Sequence, residues 1–425
     1  MRSRLPLLLL LSLFGCTTAP IIALGPDADA DPLVRQLALD ARLQGSHAVP
    51  GNQVRLLRDG VETLPAMFKA MAAAKDHIHL EYFTFENVRV GDTTLGDLLV
   101  AKLHQGVAVA VSYDGFGSLK AEPEFLERLR QSGAKLLEFH PLDPQSALKL
   151  QNPNDRDHRK IMVIDGRVAF VGGVNLDHVY ENQRDPAAAV EGDTAHAYWR
   201  DTDARIEGPA VAELQKLFLA NWAHEKGPAL PPGDFFPTLP PMGTETVRIV
   251  GSRPNHDQPL FYAALLNAVH SARHSVSLGT GYFVPTRQER EEMEDATKRG
   301  VSVRLVLPSV SDSDGALAAG RGFYTDLLEA GIRIFELHGM VLHSKFATID
   351  GVWTAVGSSN FDRRSVNFNN EVDAIVFGRK TADAAGALFD RDISRSEPID
   401  LAQWHNRPFT ERSHEFLSRL WEFLM

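Results

Sequence analysis

The sequence predicts an α/β protein made of two tandem copies of one domain, each a mixed, mostly parallel sheet flanked by helices. Three observations predict it. Stretches with helical spacing alternate with apolar, β-rich runs, the pattern of helices packed on a largely parallel sheet. The order of these stretches repeats after about 190 residues, too long a period for a solenoid and right for a duplicated domain. A sparse polar pattern also occurs twice, in "HRKIMVIDGRVAFVGGVN" from His158 and "HSKFATIDGVWTAVGSSN" from His343. Each copy has a Lys two residues after its His, an Asp seven on, a Gly fourteen on and an Asn seventeen on. A chain of 425 residues has room for two such domains.

The elements follow in order. Arg2 and Arg4 precede a ten-residue apolar run, Leu5–Phe14, then Cys16. That run is too short to span a bilayer and has the length of a signal-peptide core. "LFGC" is similar to a bacterial lipobox, so residues 1–15 are expected to be a lipoprotein signal peptide. Cys16, the single cysteine, is expected to carry lipid and hold the chain on the extracytoplasmic side of a membrane. Residues 16–51, rich in Pro, Gly and Asp, read as a tether with one short helix near Leu33–Leu43.

The first domain is expected over 52–224 and the second over 244–425. "MFKAMAAAKDHIHLEYFTF" from Met67 is matched by "FYAALLNAVHSARHSVSLGTGYFVP" from Phe261. "LLVAKLHQGVAVAVSYD" from Leu98 is matched by "MEDATKRGVSVRLVLP" from Met293, and "FLERLRQSGAKLLEFH" by "FYTDLLEAGIRIFELH". Each pair reads as a helix ended near a Gly and followed by a strand. Between the domains, residues 225–243 hold six prolines and read as a linker. An insertion before His158 reads as a surface loop.

In each motif Asp-Gly marks a tight hairpin turn between two strands. Strand alternation puts His158 and Lys160 on one face, and likewise His343 and Lys345. Asp165 and Asp350 have the opposite parity and sit at the turn, where they pin the hairpin. A His beside a Lys suits a phosphate: Lys gives fixed positive charge, and His serves as nucleophile or general acid. Asn175 and Asn360, with Gly173 and Ser358 in the preceding turns, are candidate donors to phosphate oxygens. Two copies provide one nucleophile and one acid, the needs of a double displacement at phosphorus. A Lys beside each His repels a cation, so no metal and no cofactor are expected.

The net charge of −11 gives no general footprint for nucleic acid, and none is expected as a partner. Arg363 and Arg364 suit either a lipid phosphate or a solvated loop. His140 and His338 read as structural. The amphipathic C-terminal stretch with Phe416, Leu420 and Trp421 reads as a helix docked on the body.

The doubled motif resembles the phospholipase D superfamily. "YDGFGS", "GGVN", "WRDTDARIEGPAV", "GYFVP", "RGVSVRLVLP", "NFNNEVDAIVF" and the stretch from Trp404 make the wider pattern similar to bacterial cardiolipin synthases over residues 52–425. The resemblance implies two phospholipase D-like domains related by pseudo-two-fold symmetry. It implies a metal-independent phosphatidyltransferase acting on membrane phospholipids through a phosphohistidine, with phosphatidylglycerol as donor. The implied catalytic set is His158, Lys160, Asp165, His343, Lys345 and Asp350, with His158 as nucleophile and His343 as acid and base. A carboxylate past each motif, Glu371 in the second half and Asp201 in the first, is implied to orient a histidine. Gly281 in "GYFVP" departs from the proline common in the family. The alternatives are a phospholipase D releasing phosphatidic acid and, further off, a metal-independent nuclease.

Overall fold

In a computed structural model, residues 18–22, 31–142, 154–181, 194, 197–253 and 259–408 are described. Cys16, the signal-peptide stretch and the stretch from Phe416 lie outside them. The first half contributes β1 (Ala48–Arg58), β2 (His77–Tyr82), a small hairpin of β3 (Arg89–Val90) and β4 (Thr93–Thr94), β5 (Ala108–Asp114), β6 (Lys135–Phe139), β7 (Arg156–Asp157), β8 (Lys160–Ile164), β9 (Val168–Gly172), β10 (Tyr198–Arg200) and β11 (Thr202–Glu207). The second contributes β12 (Glu245–Ser252), β13 (Ser275–Thr280), β14 (Ser302–Pro308), β15 (Arg333–Leu337), β16 (Met340–Leu342), β17 (Lys345–Ile349), β18 (Trp353–Gly357), β19 (Asn369–Phe377) and β20 (Ser396–Pro398).

One sheet runs through both halves in the order β20-β15-β14-β13-β17-β18-β19-β12-β1-β11-β9-β8-β2-β5-β6. The order reads alike outward from the β12–β1 seam, apart from the added edge strand β20. The parallel pairing expected from helix–strand alternation occupies the outer strands: β2 with β5 and β5 with β6, then β13 with β14 and β14 with β15. The centre is antiparallel because each motif folds as a hairpin and the halves meet antiparallel across β1 and β12.

Helices cover the sheet with stripes spaced three and four residues apart. Leu64, Met67, Phe68 and Met71 of the helix Asp59–Ala73 are buried, as are Leu214, Phe218 and Trp222 of Val211–His224. Ala382, Ala385 and Phe389 do the same for Arg379–Ile393. Each Leu-, Met- or Phe-sized side chain taken from water stabilises the fold by about 1.5–3 kcal/mol.

The segment expected as a tether is partly docked. The helix Pro32–Asp40 packs Leu33 and Leu37 on the second-half core. Arg35 pairs with Asp350 at 3.0 Å, and Asp40 with Arg248 at 2.8 Å. The proline-rich linker also lies against the body, where the Phe235 ring meets those of buried His77 and His79.

Candidate active site

The site forms where two short strands cross between halves. β7, just before His158, pairs in parallel with the start of β19, Asn370 opposite Asp157. The His158 N–H then donates to the Asn370 carbonyl at 3.0 Å. Symmetrically, β16 pairs with β10, Leu342 opposite Arg200, and the His343 N–H donates to the Arg200 carbonyl at 2.8 Å. The next residue on each partner strand is a carboxylate. Glu371 therefore faces His158, and Asp201 faces His343.

The carboxylates thus serve the opposite half from the one that carries them. His158 Nδ1 lies 2.9 Å from Glu371 Oε2, and His343 Nδ1 2.7 Å from Asp201 Oδ2. An ionised carboxylate only accepts, so Nδ1 carries a proton in each ring and Nε2 is the nitrogen left to attack when the ring is neutral or to give a proton when it is charged. All four residues are almost wholly buried. Lys160 Nζ donates to its own histidine's carbonyl at 2.6 Å, and Lys345 does the same at His343.

Burial away from water sets the electrostatics. It lowers His158 well below the usual imidazole range, helped by the charges of Lys160 and Lys345. His343 is also lowered, by burial and Lys345, against the pull of Asp201. Burial brings Lys160 down to about 7 and Lys345 to about 8, with nearby carboxylates opposing. The two carboxylates diverge. Burial raises Glu371 to about 6 against Lys160 and the hydroxyl of Ser358. Burial acts in the same sense on Asp201, but His343, Lys345 and Tyr180 outweigh it and hold it at about 2.

Asn175 and Asn360 are both buried. The Asn175 side-chain oxygen accepts from the Thr84 N–H at 3.3 Å, and that of Asn360 is buried without a partner. Other expected residues are engaged elsewhere. The Gly173 N–H donates to the Thr202 carbonyl, and a Cβ on Gly173 would stand 2.1 Å from Asp201 Oδ1. The Ser358 hydroxyl donates to Glu371 at 2.5 Å. Gly173 and Ser358 therefore shape and hold the carboxylates instead of presenting donors to a phosphate.

Asp165 and Asp350 stand apart from the histidines, at the far ends of β8 and β17. Asp165 accepts from the N–H groups of Lys75, Asp76 and His77 at 2.8–2.9 Å. Asp350 accepts from those of Arg273, His274 and Ser275. Each caps the start of the neighbouring strand, β2 or β13, and neither joins the reacting groups. A groove of about 970 Å³ lies beside Asp165 and contains none of the paired residues.

Several contributors escaped the motif. The Tyr180 hydroxyl donates to Asp201 Oδ2 at 2.7 Å and lies 2.8 Å from His343 Nδ1. Its counterpart five residues after Asn360 is Ser365, whose hydroxyl accepts from the Asn360 N–H at 3.1 Å and favours the charged form of Glu371. Asn369 also donates to Glu371, at 3.1 Å. Asp203 and Asp373, two residues past the paired carboxylates, explain the motif glycine: a Cβ on Gly172 or Gly357 would lie 2.0 Å from their Oδ1. "DTD" against "EVD" signals this pair, whereas Tyr against Ser hides the other. Arg364, on the short helix Arg363–Asn367, binds Asn154 and adds positive potential at His158. His140 bonds the Asp155 carbonyl and stacks on Phe139.

Comparison with known proteins follows the same lines. The family model described as cardiolipin synthase, PLD-like domain matches residues 67–201 and 265–393. A cardiolipin synthase of Geobacillus thermodenitrificans (strain NG80-2) is 33% identical over 379 residues, covering 88% of this chain and 73% of that protein. A probable cardiolipin synthase of Bacillus subtilis (strain 168) is 32% identical over 373 residues, 87% of this chain and 71% of its own. In fold, the phosphatidylserine synthase of Haemophilus influenzae Rd KW20 superposes with a TM-score of 0.63 at 11% identity, covering 93% of this chain and 99% of that one.

Proposed function

Because the chain belongs to the cardiolipin synthase, phospholipase D-like family, we propose that it joins two molecules of phosphatidylglycerol into cardiolipin through a phosphohistidine. The observation that carries this reading is the pair of buried imidazoles, each held at Nδ1 by a carboxylate from the opposite half. His158 Nε2 attacks the phosphorus of one lipid. The P–N bond forms, the bond to the glycerol headgroup breaks, and His343 gives that glycerol a proton. A headgroup hydroxyl of the second lipid then loses its proton to His343 and attacks, which breaks the P–N bond and frees His158. Lys160 and Lys345 offset the charge on the non-bridging oxygens.

The division of labour is supported by the two carboxylates. Asp201 stays ionised and stabilises the imidazolium from which His343, as the acid, gives up its Nε2 proton and to which it returns as the base. His158 is held neutral, the form a nucleophile needs.

The test uses the full chain in phosphatidylglycerol vesicles with product analysis. His158→Ala and His343→Ala should each lower cardiolipin formation by about a thousandfold or more. Radiolabelled donor should leave an acid-labile label on the protein that His158→Ala abolishes. Cardiolipin made at the wild-type rate by either variant would refute the mechanism, and phosphatidic acid as the sole product would make the enzyme a hydrolase.

A further inference from the structure

The two half-sites also differ in the aromatic wall beside each histidine. At His158 that wall is Phe83, its ring 5.2 Å from the imidazole and 5.3 Å from Lys160 Nζ. The matching position in the second half is Gly281. A Cβ there would stand 2.5 Å from the Leu342 carbonyl oxygen and 2.9 Å from the His343 Cα. No side chain fits, so the next residue forms the wall. The Tyr282 ring lies 6.0 Å from the His343 ring and 5.9 Å from Lys345 Nζ.

Unlike Phe83, Tyr282 brings a hydroxyl, which donates to Asp312 Oδ1 at 2.6 Å. Asp312 is exposed, on the loop between β14 and the helix Asp314–Arg321. Its charge favours the protonated forms of His343 and Lys345, so it lies within electrostatic reach of both. The corresponding loop after β5 instead presents the exposed apolar Phe116 and Leu119. The His158 side is therefore walled by carbon, and the His343 side by a hydroxyl and an open carboxylate.

We infer that Tyr282 and Asp312 form a headgroup subsite that binds the hydroxyls of a glycerol, first as it leaves and then as the next one attacks. The inference rests on the reading of His343 as the acid and base for that glycerol. The carboxylate accepts from one hydroxyl, and the Tyr282 oxygen has a lone pair for another, while the reacting oxygen meets His343. A polyol held at two points stays beside the phosphohistidine longer than water, which has no second hydroxyl to anchor it. A site built to bond hydroxyls also discriminates against an alcohol that lacks them. The subsite therefore decides whether the phosphatidyl group ends on glycerol or on water.

The experiment measures two fates of one intermediate in phosphatidylglycerol vesicles: the ratio of cardiolipin to phosphatidic acid, and capture of labelled glycerol against labelled ethanol. Asp312→Ala should lower both ratios about tenfold, the weight of one hydrogen bond to a charged group. Tyr282→Phe should lower both about threefold, as expected for a neutral bond. A loss of folded protein moves neither ratio. Wild-type ratios in both variants would overturn the subsite and leave the phosphohistidine reading intact. No turnover of phosphatidylglycerol by the wild type would overturn that reading and the subsite with it.

Discussion

At the scale of single residues, the site is two imidazoles made unequal by their carboxylates. Glu371 titrates at about 6 because burial outweighs Lys160 and the hydroxyls that bond it. Asp201 stays near 2 because His343, Lys345 and Tyr180 outweigh burial. The sign of the pH dependence follows. As pH falls through about 6, Glu371 takes up a proton and no longer holds the His158 Nδ1–H, so kcat/KM should fall. Asp201 adds no such limb in the working range. Glu371→Gln, which cannot titrate, should remove the limb and lower the rate above it by about tenfold or more. A pH–rate profile of that variant that kept the limb near 6 would assign it to another group. The histidines, lysines and asparagines were legible because the motif carries them at fixed offsets. Tyr180 was not, since its repeat counterpart is Ser365 and shares only the hydroxyl.

At the scale of elements, the motif is a hairpin with a device at each end. Asp165 and Gly166, like Asp350 and Gly351, have positive φ, and the turns close through the Arg167 N–H to Ile164 and the Val352 N–H to Ile349. The Asp carboxylates at these turns hold the amides that start β2 and β13. Asp165→Ala leaves three N–H groups without an acceptor and should cost about 1–3 kcal/mol, read as a lower melting temperature. Turnover per folded molecule should stay near wild type. An unchanged melting temperature with lost turnover would return Asp165 to the chemistry. The parity of strand residues foretold this scaffold role, because the hairpin is local. The strand crossings β7–β19 and β10–β16 were illegible: each joins two or three residues to a partner in the other half, too short a run for any pattern.

At the scale of the molecule, the halves are joined through one sheet and buried polar contacts. The sheet is continuous across β1 and β12. Arg200 of the first half is bonded to Asp392 of the second at 2.7 Å, both fully buried. Arg159 donates to the carbonyls of Glu371 and Ser252. Calorimetry should therefore show a single unfolding transition whose calorimetric and van't Hoff enthalpies agree. Asp392→Ala takes the nearer of two carboxylates from the buried Arg200 guanidinium, leaving it Asp59 at 3.4 Å, and should lower stability by about 3 kcal/mol. Two separate transitions would mean that the halves are independent.

By itself the sequence determined the α/β class, the duplication, the hairpins and the motif residues that the site gathers, because periodicity, turn residues and motif spacing are local properties of a chain. Only the tertiary structure decided which carboxylate serves which histidine, which strand start each motif Asp holds, and that a phenyl ring stands beside His158 while a tyrosine bonded to Asp312 stands beside His343. Those are facts of distance between segments far apart in the chain. They follow from the antiparallel seam and the exchanged strands, which bring each motif histidine beside the carboxylate of the opposite half.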